Sequence, residues 1–315
     1  MPSLSLVIPV FNEASIIRHS IQEIVKKVEE INLLSAYQIV IVDDGSVDQT
    51  WSILKELSQS YPQLKLIRLT RNFGKESALC AGLDVCHTDG VIVMDADLQH
   101  PPELIAVMVE SWQKNDVDII EAIKKSRGDE SRLSALSANI FYRLFTRLSG
   151  LNLKDASDFK LLDKKVIDAW RQLPEKNLFF RGMSAWLGFK RETIEFDVPE
   201  RADGESKWGL FSLIQLALTS ITAYSSAPLH VITLFGALFT TFSVLLGSYT
   251  LFQKFSGEAV SGFTTVIILL LIIGGAIMVA LGIIGIYLAR IFDEVKNRPR
   301  YLVMEQVEPR NLNEL

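Results

Sequence analysis

Short runs of apolar or β-branched residues stand out at Leu4–Val10, Gln38–Val42, Leu64–Leu69, Gly90–Met94 and Asp118–Ile123. Between them, apolar positions recur at helical spacing over Ala14–Ile31, Gln49–Gln59, Lys75–Val85 and Pro102–Lys114. Strands that are apolar on both sides must be covered on both sides. Their alternation with helices predicts a mostly parallel sheet with helices on both faces. Ligands of such sheets bind beyond the carboxyl ends of the strands.

The pattern changes beyond residue 207. From Trp208 to Gln253 the chain has no Asp, Glu, Lys or Arg, and residues 259–289 are again uncharged. A bilayer span needs about 20 apolar residues, which places spans near Leu229–Phe252 and Phe263–Ala289. Just before them, Ser212, Gln215, Thr219 and Thr222 recur at helical spacing in an otherwise apolar stretch, which predicts an amphipathic helix on the membrane surface. Ser131–Gly150 is a second candidate of this kind, with Leu133, Leu136, Ile140, Leu144 and Leu148 on one stripe and Arg132, Arg143 and Arg147 beside it. The expected organisation is an α/β domain at 1–207, a juxtamembrane helix at 208–226, a two-helix transmembrane region at 227–289 and a tail at 290–315.

Charge sets the orientation. The loop between the spans holds Lys254, whereas Arg290, Lys296, Arg298 and Arg300 follow the second span. Basic residues stay inside, so both termini and the α/β domain are expected in the cytoplasm, on an inner membrane. The N-terminus lacks the basic region of a signal peptide. Over all 315 residues, 49% are hydrophobic and the net charge is -5, and mean hydropathy is +0.24. A net acidic chain gives no reason to expect nucleic acid as a partner. Cys80 and Cys86 are too few for a disulfide framework and read as buried thiols.

Polar motifs follow the predicted strands: PVFNE (Pro9, Glu13), DDGSVDQT (Asp43, Asp44, Asp48), RNFGK (Arg71, Lys75) and DADLQHPP (Asp95, Ala96, Asp97, Gln99, His100). Asp95 and Asp97, followed by Gln99, offer hard oxygen ligands. Such a set suits Mg²⁺ or Mn²⁺ held by few carboxylates together with substrate phosphates. Asp43 and Asp44 read as acceptors for a ribose or base, and Asp48 as the cap of the next helix. His100, followed by two prolines, reads as a turn residue. No GxGxxG follows the first strand, which disfavours a dinucleotide-binding dehydrogenase.

These strings resemble those of glycosyltransferase family 2, which has the GT-A fold. They are similar to the dolichol-phosphate mannosyltransferase branch and, with the two-span tail and RIFDEVKNRP, to bacterial polyprenyl-phosphate glucosyltransferases. The resemblance implies inverting transfer of a hexose from a nucleotide-sugar to a polyprenyl phosphate. UDP-glucose and undecaprenyl phosphate are the favoured pair, with GDP-mannose or a UDP-linked modified pentose as other donors. It implies that Pro9, Glu13, Asp43, Asp44, Lys75, Asp95 and Ala96 hold the nucleotide-sugar. Asp95, Asp97 and Gln99 would hold the metal. Lys124, Arg127, Arg132 and Ser206 would contact phosphate. SDFKLLDKK and ERADGESKWG resemble further family motifs and place Asp158, Arg201 and Lys207 with Asp97 in the catalytic set. A homo-oligomer, a tetramer by resemblance, is implied as well. The rivals are a non-catalytic nucleotide-sugar-binding protein, a nucleotidyltransferase and a processive synthase, whose QxxRW motif is missing here.

Overall fold

The computed structural model describes residues 1–124, 146–147, 157–173, 175, 179–196, 226–256 and 262–309. The chain divides into two compact units. The first takes in residues 1–143, 151–207 and 298–315, and the second takes in 144–150 and 208–297.

The first unit is built on an eight-stranded sheet of order β7-β5-β6-β4-β1-β2-β3-β8. The strands are β1 (Ser3–Val10), β2 (Ala36–Asp43), β3 (Leu64–Leu69), β4 (Gly90–Val93), β5 (Ile119–Lys124), β6 (Lys160–Asp163), β7 (Arg191–Phe196) and β8 (Val303–Val307). Six helices go with them: α1 (Ile17–Glu29), α2 (Thr50–Ser60), α3 (Lys75–Asp84), α4 (Leu104–Lys114), α5 (Lys164–Arg171) and α6 (Phe180–Trp186). β1 pairs in parallel with β2 and β4, and β2 with β3. β6 runs antiparallel between β4 and β5, and β8 runs antiparallel along β3.

Alternation along each strand feeds two cores. Leu4, Leu6 and Ile8 of β1 pack with Ile17, Ile21 and Ile24 of α1, Leu54 of α2 and Ile105 of α4. Val7, on the opposite side, packs with Leu79 and Leu83 of α3 and Trp170 of α5. These side chains are almost wholly buried. Burying each large apolar side chain stabilises the fold by about 1.5–3 kcal/mol, so both faces are needed to hold so apolar a sheet. The expected α/β class and the first five strands are present. β6, β7 and β8 add to the expected set, and β8 places part of the 290–315 stretch inside the first unit.

The order of the central strands sets where ligands can enter. The chain moves outward from β1 through β2 to β3, then returns to the other side of β1 as β4. That reversal opens a crevice beyond the carboxyl ends of β1 and β4.

In the second unit, α7 (Ala227–Phe255) and α8 (Phe263–Val295) are long and apolar. They contain stretches of 26 and 24 residues long and apolar enough to cross a membrane. Leu234, Phe235, Leu245, Met278 and Val279 are all more than half exposed. A soluble core helix would bury such residues. Ala276 and Ala280 line an apolar groove of about 820 Å³ between α7 and α8. All but Ser226 of the expected amphipathic helix at 208–226, and all but Thr146 and Arg147 of that at 131–150, lie outside the described residues.

Candidate active site

The loops after β1 and β2 are stitched together by side chains that the motifs supply. Asn12 N–H donates to Ser46 Oγ at 2.9 Å, and Val47 N–H donates to Asn12 Oδ1 at 3.0 Å. Glu13 N–H donates to Thr50 Oγ1 at 2.9 Å. Asp48 accepts from Thr50 N–H at 3.0 Å and from Thr50 Oγ1 at 2.6 Å, just ahead of α2, whose N-cap position is Gln49. Gly45 sits at φ +72, and a Cβ there would stand 2.4 Å from the Arg71 carbonyl carbon. Only glycine satisfies both constraints.

The adjacent acids Asp43 and Asp44 are both buried but do different things. Asp43 accepts from Ser46 N–H at 3.1 Å and lies 3.3 Å from Arg68 Nε. It braces the turn and is not among the residues that line the cleft described next. Asp44 accepts from Phe73 N–H and Gly74 N–H, each at 2.8 Å. It ties the RNFGK loop down, and Gly74 takes φ +96 to allow that approach. Burial pushes both carboxyls above their ordinary range, while these hydrogen bonds pull the other way.

The result is a cleft of about 360 Å³. Pro9, Glu13, Asp44, Lys75, Asp95, Ala96 and Asp97 line it, with Phe11 and Asn72. Seven of the residues expected from sequence therefore meet in one place.

The DADLQH turn is set by a left-handed residue. Leu98 lies at φ +57, a region that costs a non-glycine residue about 1–2 kcal/mol. Gln99 N–H donates to Asp97 Oδ1 at 3.1 Å, and Asp95 N–H donates to His100 Nδ1 at 3.3 Å. The His100 ring stacks on Phe159 with centroids 4.9 Å apart. His100 is thus a wedge under the turn, as its turn reading predicts.

Negative charge gathers around this turn. Burial raises the Glu13 carboxyl, and Asp97, Asp48 and Asp95 raise it further. The donor set is two or three carboxylates opening on a cleft that can admit phosphate oxygens, which fits Mg²⁺ or Mn²⁺ bound jointly with a substrate. Among the described residues, no three His, Cys, Asp or Glu side chains are grouped to hold a metal by themselves.

Lys75 spans the site. Its Nζ lies 2.6 Å from Asp95 Oδ1 and 2.9 Å from Asp158 Oδ2. Burial would lower its pKa, but Asp158 and Asp95 outweigh that and hold it above the ordinary value. Asp158 also receives Arg181, Nε to Oδ1 at 2.7 Å and Nη2 to Oδ2 at 2.9 Å. Burial would raise Asp158, but Arg181 and Lys75 drive it far below the usual carboxylate range. Arg181 carried no motif signal in the sequence. Its neighbour Phe180 donates its N–H to Glu76 Oε2 at 2.8 Å, which fixes the start of α6.

Behind Asp158 lies a sealed pair. Lys160, fully buried, sits 3.2 Å from Glu121 and donates to Ser184 Oγ at 2.6 Å. Glu121 accepts from Ser157 N–H at 2.8 Å. Lys124 ends β5. Arg127, Arg132, Arg201, Ser206 and Lys207 lie outside the described residues.

The sheet order, the edge cleft and the paired acids define a class, and the comparisons agree. The glycosyl transferase family 2 pattern matches residues 5–169, and the chain belongs to that family. It is a glycosyltransferase with the GT-A fold. It is similar along nearly its whole length to an uncharacterized glycosyltransferase, sll0501, of Synechocystis, with 37% identity over 96% of this chain and 95% of that one. It is also similar to the bactoprenol glucosyl transferase of Shigella phage SfII, with 38% identity over 95% of this chain and 97% of that one. A prophage bactoprenol glucosyl transferase homolog of Escherichia coli K12 is 36% identical over 95% and 98%.

Proposed function

We propose that this chain transfers a hexose from a nucleotide-sugar to the phosphate of a polyprenyl lipid at the cytoplasmic face of a membrane. UDP-glucose is the favoured donor and undecaprenyl phosphate the favoured acceptor. The observation that carries this reading is the extent of the relationship to proteins named bactoprenol glucosyl transferase. It runs through both apolar helices as well as the catalytic unit.

Pro9, Glu13, Asp44 and Phe11 would frame the nucleoside, and Asp95 and Asp97 the diphosphate. With Mg²⁺ or Mn²⁺ bound, the cation would neutralise charge on the departing diphosphate. The residues themselves position and screen. Asp97 presents its carboxylate from a turn fixed by Leu98 and His100. Asp44 keeps the RNFGK loop against the cleft.

The bond that forms joins a phosphate oxygen of the acceptor to the anomeric carbon. The bond that breaks releases the nucleoside diphosphate from the opposite face, giving inversion. A phosphomonoester has a second pKa of about 6, so it enters already ionised and needs no base. Asp158 supports this division of labour, since both its oxygens are engaged by cations and it stays ionised at neutral pH. Its contacts support the role of an anchor for Lys75 and Arg181 over that of a proton acceptor.

The test uses detergent-purified protein, Mg²⁺ or Mn²⁺ and undecaprenyl phosphate. Radiolabelled UDP-glucose, GDP-mannose and UDP-N-acetylglucosamine are offered separately. Label should enter the organic phase from UDP-glucose. Labelling from another donor would reassign the sugar, and labelling from none would remove the reading.

A further inference from the structure

Asp158 and Arg181 pair beside the acidic turn, and Lys75 reaches Asp158 from the cleft that the nucleoside motifs line. Along the sheet the order is β2, β1, β4, β6. Asp44 follows β2, Pro9 lies in β1, Asp95 and Asp97 follow β4, and Asp158 precedes the antiparallel β6. The start of β6 lies at the carboxyl end of β4, since Val93 pairs with Lys160. A donor laid from β2 towards β4 therefore points its sugar at β6.

Charge around Asp158 is balanced in the free protein. Lys75 is shared between Asp95 and Asp158, and Arg181 forks onto Asp158. Two cations meet two carboxylates, and Asp97 and Glu13 add negative charge nearby. A phosphate dianion approaching this surface meets no net attraction. The side chains of Lys75 and Arg181 are 40% and 41% exposed, while that of Asp158 is 11% exposed. The cations thus face outward with their common carboxylate behind them.

We propose that Lys75 and Arg181, seated on Asp158, bind the acceptor's phosphomonoester, and that this seat opens only once the donor diphosphate and its divalent cation have taken Asp95. The inference rests on the transfer reaction proposed above. A cation at Asp95 removes one of the two partners of Lys75 and repels its ammonium. Lys75 then keeps Asp158 and loses Asp95, so its ammonium has a hydrogen-bond donor to offer an incoming phosphate oxygen beside Arg181. The consequence is ordered binding, donor before acceptor, which keeps a lipid phosphate from occupying an enzyme without a sugar to give.

The experiment is calorimetric titration of the full-length protein in detergent with inorganic phosphate, alone, with Mg²⁺, and with Mg²⁺ and UDP together. Phosphate should bind about tenfold or more tightly when Mg²⁺ and UDP are both present, a coupling ordinary for linked sites. Asp95→Asn should bind phosphate at the tighter level with no nucleotide. Arg181→Gln should weaken phosphate about tenfold or more while still binding Mg²⁺ with UDP, which shows that the fold persists. Arg181→Lys keeps a cation and should lose less. Phosphate affinity indifferent to Mg²⁺ and UDP, or unchanged in Arg181→Gln, overturns the seat.

Repeating the titration with farnesyl phosphate separates a lipid headgroup from a free ion. Tighter binding with the same coupling supports the lipid, and equal binding assigns the seat to free phosphate. If sugar transfer to undecaprenyl phosphate occurs without coupling, the seat fails and the reaction stands. If coupling occurs without transfer, the seat stands and the reaction fails.

Discussion

Asp158 and Lys160 stand two residues apart, and each joins an ion pair at the same end of the sheet. The Lys160–Glu121 pair is sealed, with side chains 1% and 7% exposed. The Asp158 cluster is open, because its cations reach solvent. In the sealed pair every partner belongs to the fold, with Ser184 and the Ser157 N–H completing it. In the open cluster the cations are held in place but remain reachable by a ligand. The same chemistry, shifted by two residues along the chain, serves stability on one side and the proposed binding on the other.

Breaking each side should give different losses. Asp97→Ala, on the open side, should lower sugar transfer about a thousandfold with the melting temperature unchanged. Transfer that persists in this variant with EDTA present would falsify the metal assignment. Lys160→Met, on the sealed side, leaves the Glu121 carboxylate buried and unpaired. It should cost about 3–5 kcal/mol in denaturant unfolding, and adding Glu121→Leu should restore most of it.

Glu76 sits between the two behaviours. Burial raises its carboxyl to about 7 from 4.5, with Asp158 adding to the rise and the Phe180 N–H opposing it. Lys75 and Arg181 face it and also oppose the rise. A carboxyl raised on folding favours the protonated folded state. Stability should therefore fall by up to about 3 kcal/mol as pH rises from 4.5 to about 7. Glu76→Gln should flatten that slope in unfolding measured across the window, and an unchanged slope would reassign it. Gly45→Ala forces a Cβ against Arg71 at positive φ and should cost about 2 kcal/mol in the same assay. Arg18→Ala removes only an exposed pair with Glu56 and should leave transfer and melting temperature as they are.

Much of the central sheet was legible because β1 to β5 are apolar on both faces and bounded by turn residues. β6 was not, since KLLD is four residues long and opens with a lysine. β7 reads RETIEF, alternating in the way of a partly exposed strand, and β8 reads VMEQV, with polar residues suited to an edge. Their pairings are set by long-range packing. The motif ends of β1 to β4 pointed correctly to one cleft. Asp43 shows the limit of such reading, because an acid after a strand serves equally as a ligand or as a brace, and its contacts with Ser46 and Arg68 come only from the fold. Arg181 was invisible for the opposite reason. A single arginine in NLFFRG says nothing until Asp158 stands opposite it.

β8 has one more consequence. The strand that closes the β3 edge is translated after both apolar helices. While the ribosome is still making α7 and α8, that edge presents unpaired N–H and C=O groups, and Trp51 lacks its Glu305 acceptor. The sheet is finished last, by the piece of chain that emerges once the hydrophobic segments have been made. Completion of the catalytic unit thereby reports that synthesis has passed through the rest of the protein.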